Sequence, residues 1–381
     1  MSPDHDPLPA GFPEWRDGPP WVMAEMVASE PRLAAQILAE GEGRRRVAPL
    51  VAATMSRGAL IAVTGCGTSE HAAMAFADLL GSATGRRPLV HSRQALEVAL
   101  DPWPGLLVAI SHEGETAATV AAIEAARRVG ADTALITAAP ASSAGRAVRE
   151  LARTPAVDRS WCHTVGYLSP ILVGVDVAAH LAGGQLDPGA TGGYLQRCLA
   201  ELGPGAELAG RALAKGSSVT CLGGSADYVA ARELALKIAE GSRIPALSHR
   251  LETFLHGHLA AVDSSSGVVA VLTDPGAGPR LLERTRQALA AARLVGARAI
   301  LIAGPFVPAD FASPLLSVPP LRIPPAPALE ARAAAMLGAA VALQLLAVDL
   351  ATARGTNPDL IRREELAYRE AASQAEGTIA L

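Results

Sequence analysis

Along this chain, short unbroken apolar runs alternate with longer stretches whose apolar residues recur every three or four positions, and the whole series occurs twice. The first copy opens with ALIAVTGCGTSEHAAMAFADLL (59–80) and continues through LLVAI (106–110) and TALITA (133–138). The second opens with SSVTCLGGSADYVAARELALKIAE (217–240) and continues through GVVAVL (267–272) and AILIA (299–303). Between the runs lie Ala-rich helical patterns, AATVAAIEAARRVGA (117–131) and LLERTRQALAAARLVGA (281–297). Each half closes with a long apolar helix, around 168–183 and 329–352. Short strands alternating with helices of this length predict an α/β chain of two parallel β-sheets, each flanked by α-helices. Ligands then belong at the carboxyl ends of the strands, where both Gly-rich loops fall. The predicted organisation is a helical lead-in over 1–48, domains at 49–192 and 193–353, and a polar tail over 354–381. The Gly- and Pro-rich stretch from 183–193 to 201–207 reads as the linker.

Composition narrows the functional classes. The chain has 381 residues, 18% charged, with a net charge of −4, so it lacks the basic surplus that nucleic acid demands. Cys66, Cys162, Cys198 and Cys221 are far apart and form no CxxC, which reads as free thiols in a reducing compartment, without metal or cofactor. The start, MSPDHDPLPAGFPEW, has no basic segment followed by an apolar one, so a cytoplasmic protein is expected. The most apolar stretch, 333–351, contains Gln344 and Asp349 and reads as a buried helix, not a membrane span. Lys215 and Lys237 are the only lysines, which limits where a Schiff base could form.

The loop SHEGET (111–116) sits between a strand and a helix start and holds Gly114 and the hydroxyls of Ser111 and Thr116. The loop GCGTS (65–69) has the same placement, with Gly67, Thr68 and Ser69. Short donors at two helix N-termini suit an anion. The second half has LTDPGAGP (272–279) where the first has SHEGET. Its prolines remove N–H donors, so one cradle per chain is expected, in the first half. In ELALKIAE, Glu233, Lys237 and Glu240 share one helix face.

GCGTSEHAA, SHEGET and ARELALKIAEGSRIPALSHRLETFLHG together resemble the sugar isomerase (SIS) domain family. The likeness is nearest to the isomerase half of glucosamine-6-phosphate synthase, and covers roughly 25–368. It implies two tandem SIS domains of flavodoxin- or Rossmann-like type, and a homodimer with shared active sites acting on a sugar phosphate. It implies phosphate binding by Ser69, Ser111, His112 and Thr116, with Gly67, Thr68 and Glu113 in the same loops. It also implies Glu240 as the base that moves a proton between C1 and C2 of the sugar, and His256, delivered by the partner subunit, as the ring opener. No catalytic Cys follows Met1, so no glutaminase activity is expected.

Three departures refine this expectation. The tail lysine that forms the family's Schiff base has no counterpart: Tyr368 stands near its place, and no lysine follows Lys237. Lys237 reads most simply as the ion partner of Glu240, so an isomerase, or a deaminase whose substrate brings its own nitrogen, fits the inventory. Second, HGH (256–258) replaces the family's HGP, which predicts a less rigid loop; His249 carries no motif and reads as surface. Third, Glu113 stands where the family has Ser. A carboxylate about 4 Å from a phosphate repels each unit charge by roughly 4 kcal/mol at an effective dielectric near 20, against the roughly 1.5–3 kcal/mol that a charged hydrogen bond returns. Glu113 therefore turns out of the cradle, is protonated, or faces a ligand without phosphate. A sugar-phosphate-sensing protein and a deglycase for a glycated amine share the fold and most of these residues.

Overall fold

The computed structural model describes residues 12–375. The first half runs α1 (Val22–Glu40), α2 (Ala48–Ser56), β1 (Ile61–Gly65), α3 (Thr68–Thr84), β2 (Val90–Gln94), α4 (Ala95–Leu100), β3 (Leu106–Ile110), α5 (Ala117–Arg128), β4 (Asp132–Thr137), α6 (Ser143–Ala147), β5 (Glu150–Arg153) and α7 (Val165–Leu181). After α8 (Pro188–Leu213) the second half runs β6 (Ser218–Gly223), α9 (Asp227–Ser242), β7 (Ala246–His249), α10 (Leu251–Leu255), β8 (Ser266–Leu272), α11 (Gly278–Leu294), β9 (Arg298–Ala303), β10 (Leu321–Arg322) and α12 (Ala331–Ala353). A final helix, α13, spans Leu366–Ala375.

Both sheets are parallel and five-stranded, ordered β2-β1-β3-β4-β5 and β10-β9-β8-β6-β7. Matched strand for strand, these are one topology repeated, with the order reversing between β1 and β3 and between β6 and β8. The crevice at such a reversal, above the carboxyl ends of the strands, is where open α/β sheets hold ligands. The central strands β1, β3 and β8 are buried throughout, as their unbroken apolar runs require. Both closing helices, α7 and α12, are largely buried. Among the described residues α12 is the one helix long and apolar enough to cross a membrane, and here it is packed inside the fold.

The expected linker is helix instead. Asp187 caps α8 by accepting from the Ala190 N–H (2.9 Å), and Pro188 occupies the first turn. Thr191, Tyr194, Leu195, Cys198, Leu202, Ala206 and Ala209 form a buried stripe against α1 and α12. That stripe outweighs the helix-breaking tendency of Pro204 and the glycines, so the 192/193 position falls inside a helix. The tail also differs from a simple polar extension. Asp359 is buried and accepts from the N–H groups of Val22 (2.9 Å) and Met23 (2.7 Å), capping α1 from the far end of the chain.

Candidate functional site

The two halves share a backbone and differ at one decisive residue. A Cβ at Gly65 would lie 2.6 Å from the Ser69 carbonyl, and a Cβ at Gly223 would lie 2.5 Å from the Asp227 carbonyl. Ser69 and Asp227 thus hold the same place after β1 and β6. The registers Thr64↔Ala109 and Leu222↔Ala270 likewise pair His112 with Thr273 and Glu113 with Asp274. In the second half, the buried Asp227 carboxylate accepts from the N–H groups of Thr273 (2.9 Å) and Asp274 (3.1 Å) and from the Thr273 hydroxyl (2.5 Å). The second cradle is therefore filled by the chain's own anion. Burial still pushes Asp227 up to about 6, although these hydrogen bonds oppose it.

In the first half the matching position carries only a hydroxyl. The N–H groups of His112, Glu113, Glu115 and Thr116 have no acceptor among the described residues, nor do those of Gly67 and Thr68. Ser111 accepts from the Gly114 N–H (3.2 Å) and keeps its own proton to give. The Ser69 hydroxyl has no partner among the described residues, and exposed Thr116 stands at the N-terminus of α5 without a side-chain cap. Gly114 is required here: its φ is +71°, and a Cβ would lie 1.9 Å from Ser142 Oγ. Converging N–H groups and hydroxyls at two helix N-termini suit an oxyanion such as phosphate.

Two expected donors contribute only their main chain. The Thr68 hydroxyl donates to Glu233 Oε1 (3.2 Å). The His112 imidazole is turned into the core, where Nε2 accepts from the Asp158 N–H (2.7 Å). Burial lowers His112 to about 4, so it is neutral and cannot serve as a charged phosphate ligand. Glu113 is exposed and makes no ion pair among the described residues. An exposed carboxylate fits the first of the three ways to reconcile it with the loop, a side chain turned to solvent.

Helix α9 is tied to α3 through a buried polar chain. Glu233, fully buried, receives His71 Nδ1 at 2.6 Å and Lys237 Nζ at 3.5 Å. Lys237 continues to Glu240 at 2.6 Å. Burial alone would raise Glu233, but Lys237 and the His71 and Thr68 hydrogen bonds more than reverse it, leaving an anion. Burial likewise works against the Lys237 charge, yet Glu240 and Glu233 hold it firmly protonated. A permanently charged ammonium is no Schiff-base nucleophile. Glu240 is the open end of the chain, its side chain 23% exposed where Lys237 is sealed.

His256 stands apart from this group. Its side chain is 74% exposed at the end of α10, 3.3 Å from Glu252. The following His258 stacks on His249, with centroids 3.7 Å apart and planes at 14°. This stack anchors a loop that the absence of Pro had suggested would be loose, and it gives His249 a partner. Tyr368 is also away from the chain of charges, under the Arg362 guanidinium at 4.0 Å.

Sequence reasoning missed His71, Cys162 and His163. The loop before α7 places the Cys162 thiol 4.0 Å from the Lys237 carbonyl, and the His163 ring centroid 5.2 Å from that of His112. His71 lies inside GCGTSEHAA, while for Cys162 and His163 the one signal was an isolated SWCHT beside a long apolar helix.

Comparison with known proteins fits this geometry. The family model for the SIS domain matches residues 57–172. A glutamine–fructose-6-phosphate aminotransferase (isomerizing) of Symbiobacterium thermophilum is 29% identical over 316 residues, 78% of this chain and 50% of the relative. The chain thus spans about half the length of the curated relatives it matches. Among solved structures, the C-terminal domain of a glucosamine-fructose-6-phosphate aminotransferase from Francisella tularensis superposes with a TM-score of 0.72, at 21% identity, covering 91% of this chain and 99% of that one. The chain is a tandem SIS-domain protein. Its fold is shared equally with tagatose-6-phosphate ketose/aldose isomerase from Escherichia coli, at a TM-score of 0.73, 21% identity, and coverage of 89% and 95%. In this tandem SIS protein the two domains are copies in backbone, and only the first leaves its cradle open.

Proposed function

We propose that this tandem SIS protein acts on a hexose phosphate by proton transfer between C1 and C2, as a phosphosugar isomerase or an amino-sugar-phosphate deaminase. The observation that carries this reading is the open cradle in the first half, joined through the Thr68–Glu233 hydrogen bond to a chain of buried charges that ends in a partly exposed carboxylate at Glu240. Ser69, Ser111 and Thr116, with the N–H groups of the two loops, hold the phosphate. Glu240 takes the proton from one carbon and returns it to the next, and Lys237 fixes the carboxylate's position. With Lys237 locked as a cation, and Lys215 exposed at the amino end of β6, opposite the strand ends that carry the loops, a covalent amine on the protein is disfavoured, which leaves a plain enediol route or a substrate carrying its own nitrogen.

In this reading His256 serves the site of a second copy in a homodimer, since its own chain leaves it on the surface. The test is subunit mixing. Glu240→Gln and His256→Ala chains, each inactive alone, should regain partial activity once exchanged, because one site of the mixed dimer is intact. No recovery after exchange is verified would show that the two residues do not meet across subunits.

Glu113 gives a second check, on the phosphate itself. Glu113→Ser removes an exposed negative charge beside the cradle, so fructose 6-phosphate should bind severalfold tighter, by less as salt is raised, while fructose binding is unchanged. Weaker binding of the unphosphorylated sugar, with no gain for its phosphate, would instead make Glu113 a ligand-contacting residue and remove phosphate from the reading.

A further inference from the structure

We propose that His163 supplies, from the same chain as Glu240, the neutral hydrogen-bond donor to the substrate's carbonyl oxygen. This rests on the reading above. The loop that carries His163 touches both parts of the site: the His163 ring lies against that of His112, from the cradle loop, with centroids 5.2 Å apart, and the adjacent Cys162 rests against the Lys237 carbonyl at 4.0 Å. The position is fixed before any ligand arrives. Asp158 Oδ2 accepts from the N–H groups of Thr164 (2.6 Å) and Gly166 (3.0 Å), and Trp161 N–H donates to the Asp359 carbonyl at 2.9 Å. Gly166 leaves room for the His112 ring and the His163 Cβ, since a Cβ there would lie 3.2 Å from the ring and 3.3 Å from that Cβ. The ring is half-buried, and neither of its nitrogens has a protein partner among the described residues.

The groups facing His163 decide its charge. Burial acts first, and then His112 on the cradle loop, Lys237 on α9 and Arg363 on the tail, together lowering it to about 3. It is a neutral imidazole at any working pH. Moving a proton to Glu240 from the carbon next to the carbonyl, C1 of a ketose or C2 of an aldose, drives electrons onto the carbonyl oxygen, and a preorganised N–H aimed at that oxygen stabilises the charge as it forms. A neutral donor suits the place, as a second cation beside Lys237 and Arg363 would be repelled.

The experiment compares wild type, His163→Ala and His163→Gln on fructose 6-phosphate, tagatose 6-phosphate and glucosamine 6-phosphate, and follows the imidazole nitrogens by NMR from about pH 8 to about pH 4. The His163 signal should stay neutral throughout and shift when the sugar phosphate is added. The Ala variant should lose roughly 10²–10³-fold in kcat with a small change in KM, and Gln, which keeps a neutral N–H, should recover part of it. If the Ala variant fails to fold, the Gln variant and the titration decide. A His163 midpoint near the ordinary imidazole value of ~6.5, or an active enzyme unimpaired by either substitution, overturns the assignment for His163 alone. A wild-type chain that neither binds nor turns over any of the three overturns the phosphosugar reading, and this assignment with it.

Discussion

Glu240→Gln should lower turnover by roughly 10²–10⁴-fold while sugar-phosphate affinity stays within about tenfold. The amide matches the carboxylate in size but cannot hold a proton between two carbons. Binding survives because the cradle is built from other elements, the loops after β1 and β3. The fold survives because Lys237, whose 2.6 Å partner becomes a neutral amide oxygen, keeps the Glu233 anion at 3.5 Å. Some stability is still lost, since a buried cation now has one anion in place of two. Turnover and calorimetric affinity, measured on the same preparation, make the comparison. Turnover within threefold of wild type would remove Glu240 from the chemistry.

The largest effect on stability is expected at Glu30, far from the reacting atoms. This side chain on α1 is fully buried, and neither carboxyl oxygen has a hydrogen-bond partner in good geometry, with Gln344, whose own Oε1 is unpartnered, beside it. Burial pushes Glu30 well above the usual carboxylate range, and the neighbouring Asp158 adds to this. Below the ordinary value of ~4.3 both folded and unfolded chains carry the proton, and the group leaves stability unchanged. Above it the unfolded chain ionises first, so stability falls by about 1.4 kcal/mol per pH unit until the folded carboxyl also ionises. Glu30→Gln removes that slope, and its amide can donate to Gln344 Oε1. The variant should match wild type near pH 4 and become progressively more stable than it as pH rises toward 7. Denaturant midpoints at several pH values test this, and a variant no more stable than wild type near pH 7 would show that Glu30 is solvated or paired in solution.

The residues that made the fold legible were those with strong periodicity. LLVAI became β3 without a shift, because a strand buried on both faces has little freedom in composition. The edge strands were missed. VHSRQ in β2 and ALSH in β7 have one neighbour each and polar positions facing solvent, so neither shows a continuous apolar run. Within the site, spacing placed Glu233, Lys237 and Glu240 on one face, and the structure keeps them there as a chain of contacts. Spacing could not show that Thr68 and His71 reach that chain from the other domain, nor that His112 turns inward to meet Asp158. Those are contacts between residues 46 to 165 positions apart, set by how helices pack and not by any local pattern.

Asp227 has a consequence for how many ligands one chain can hold. A carboxylate built into α9 competes for the Thr273 and Asp274 N–H groups without having to diffuse to them. Tethering even by a flexible linker corresponds to a local concentration of roughly millimolar, and rigid placement to far more. A free anion must outcompete that tethered carboxylate to enter the second cradle, so on the proposed reading each chain should bind one sugar phosphate, in the first domain.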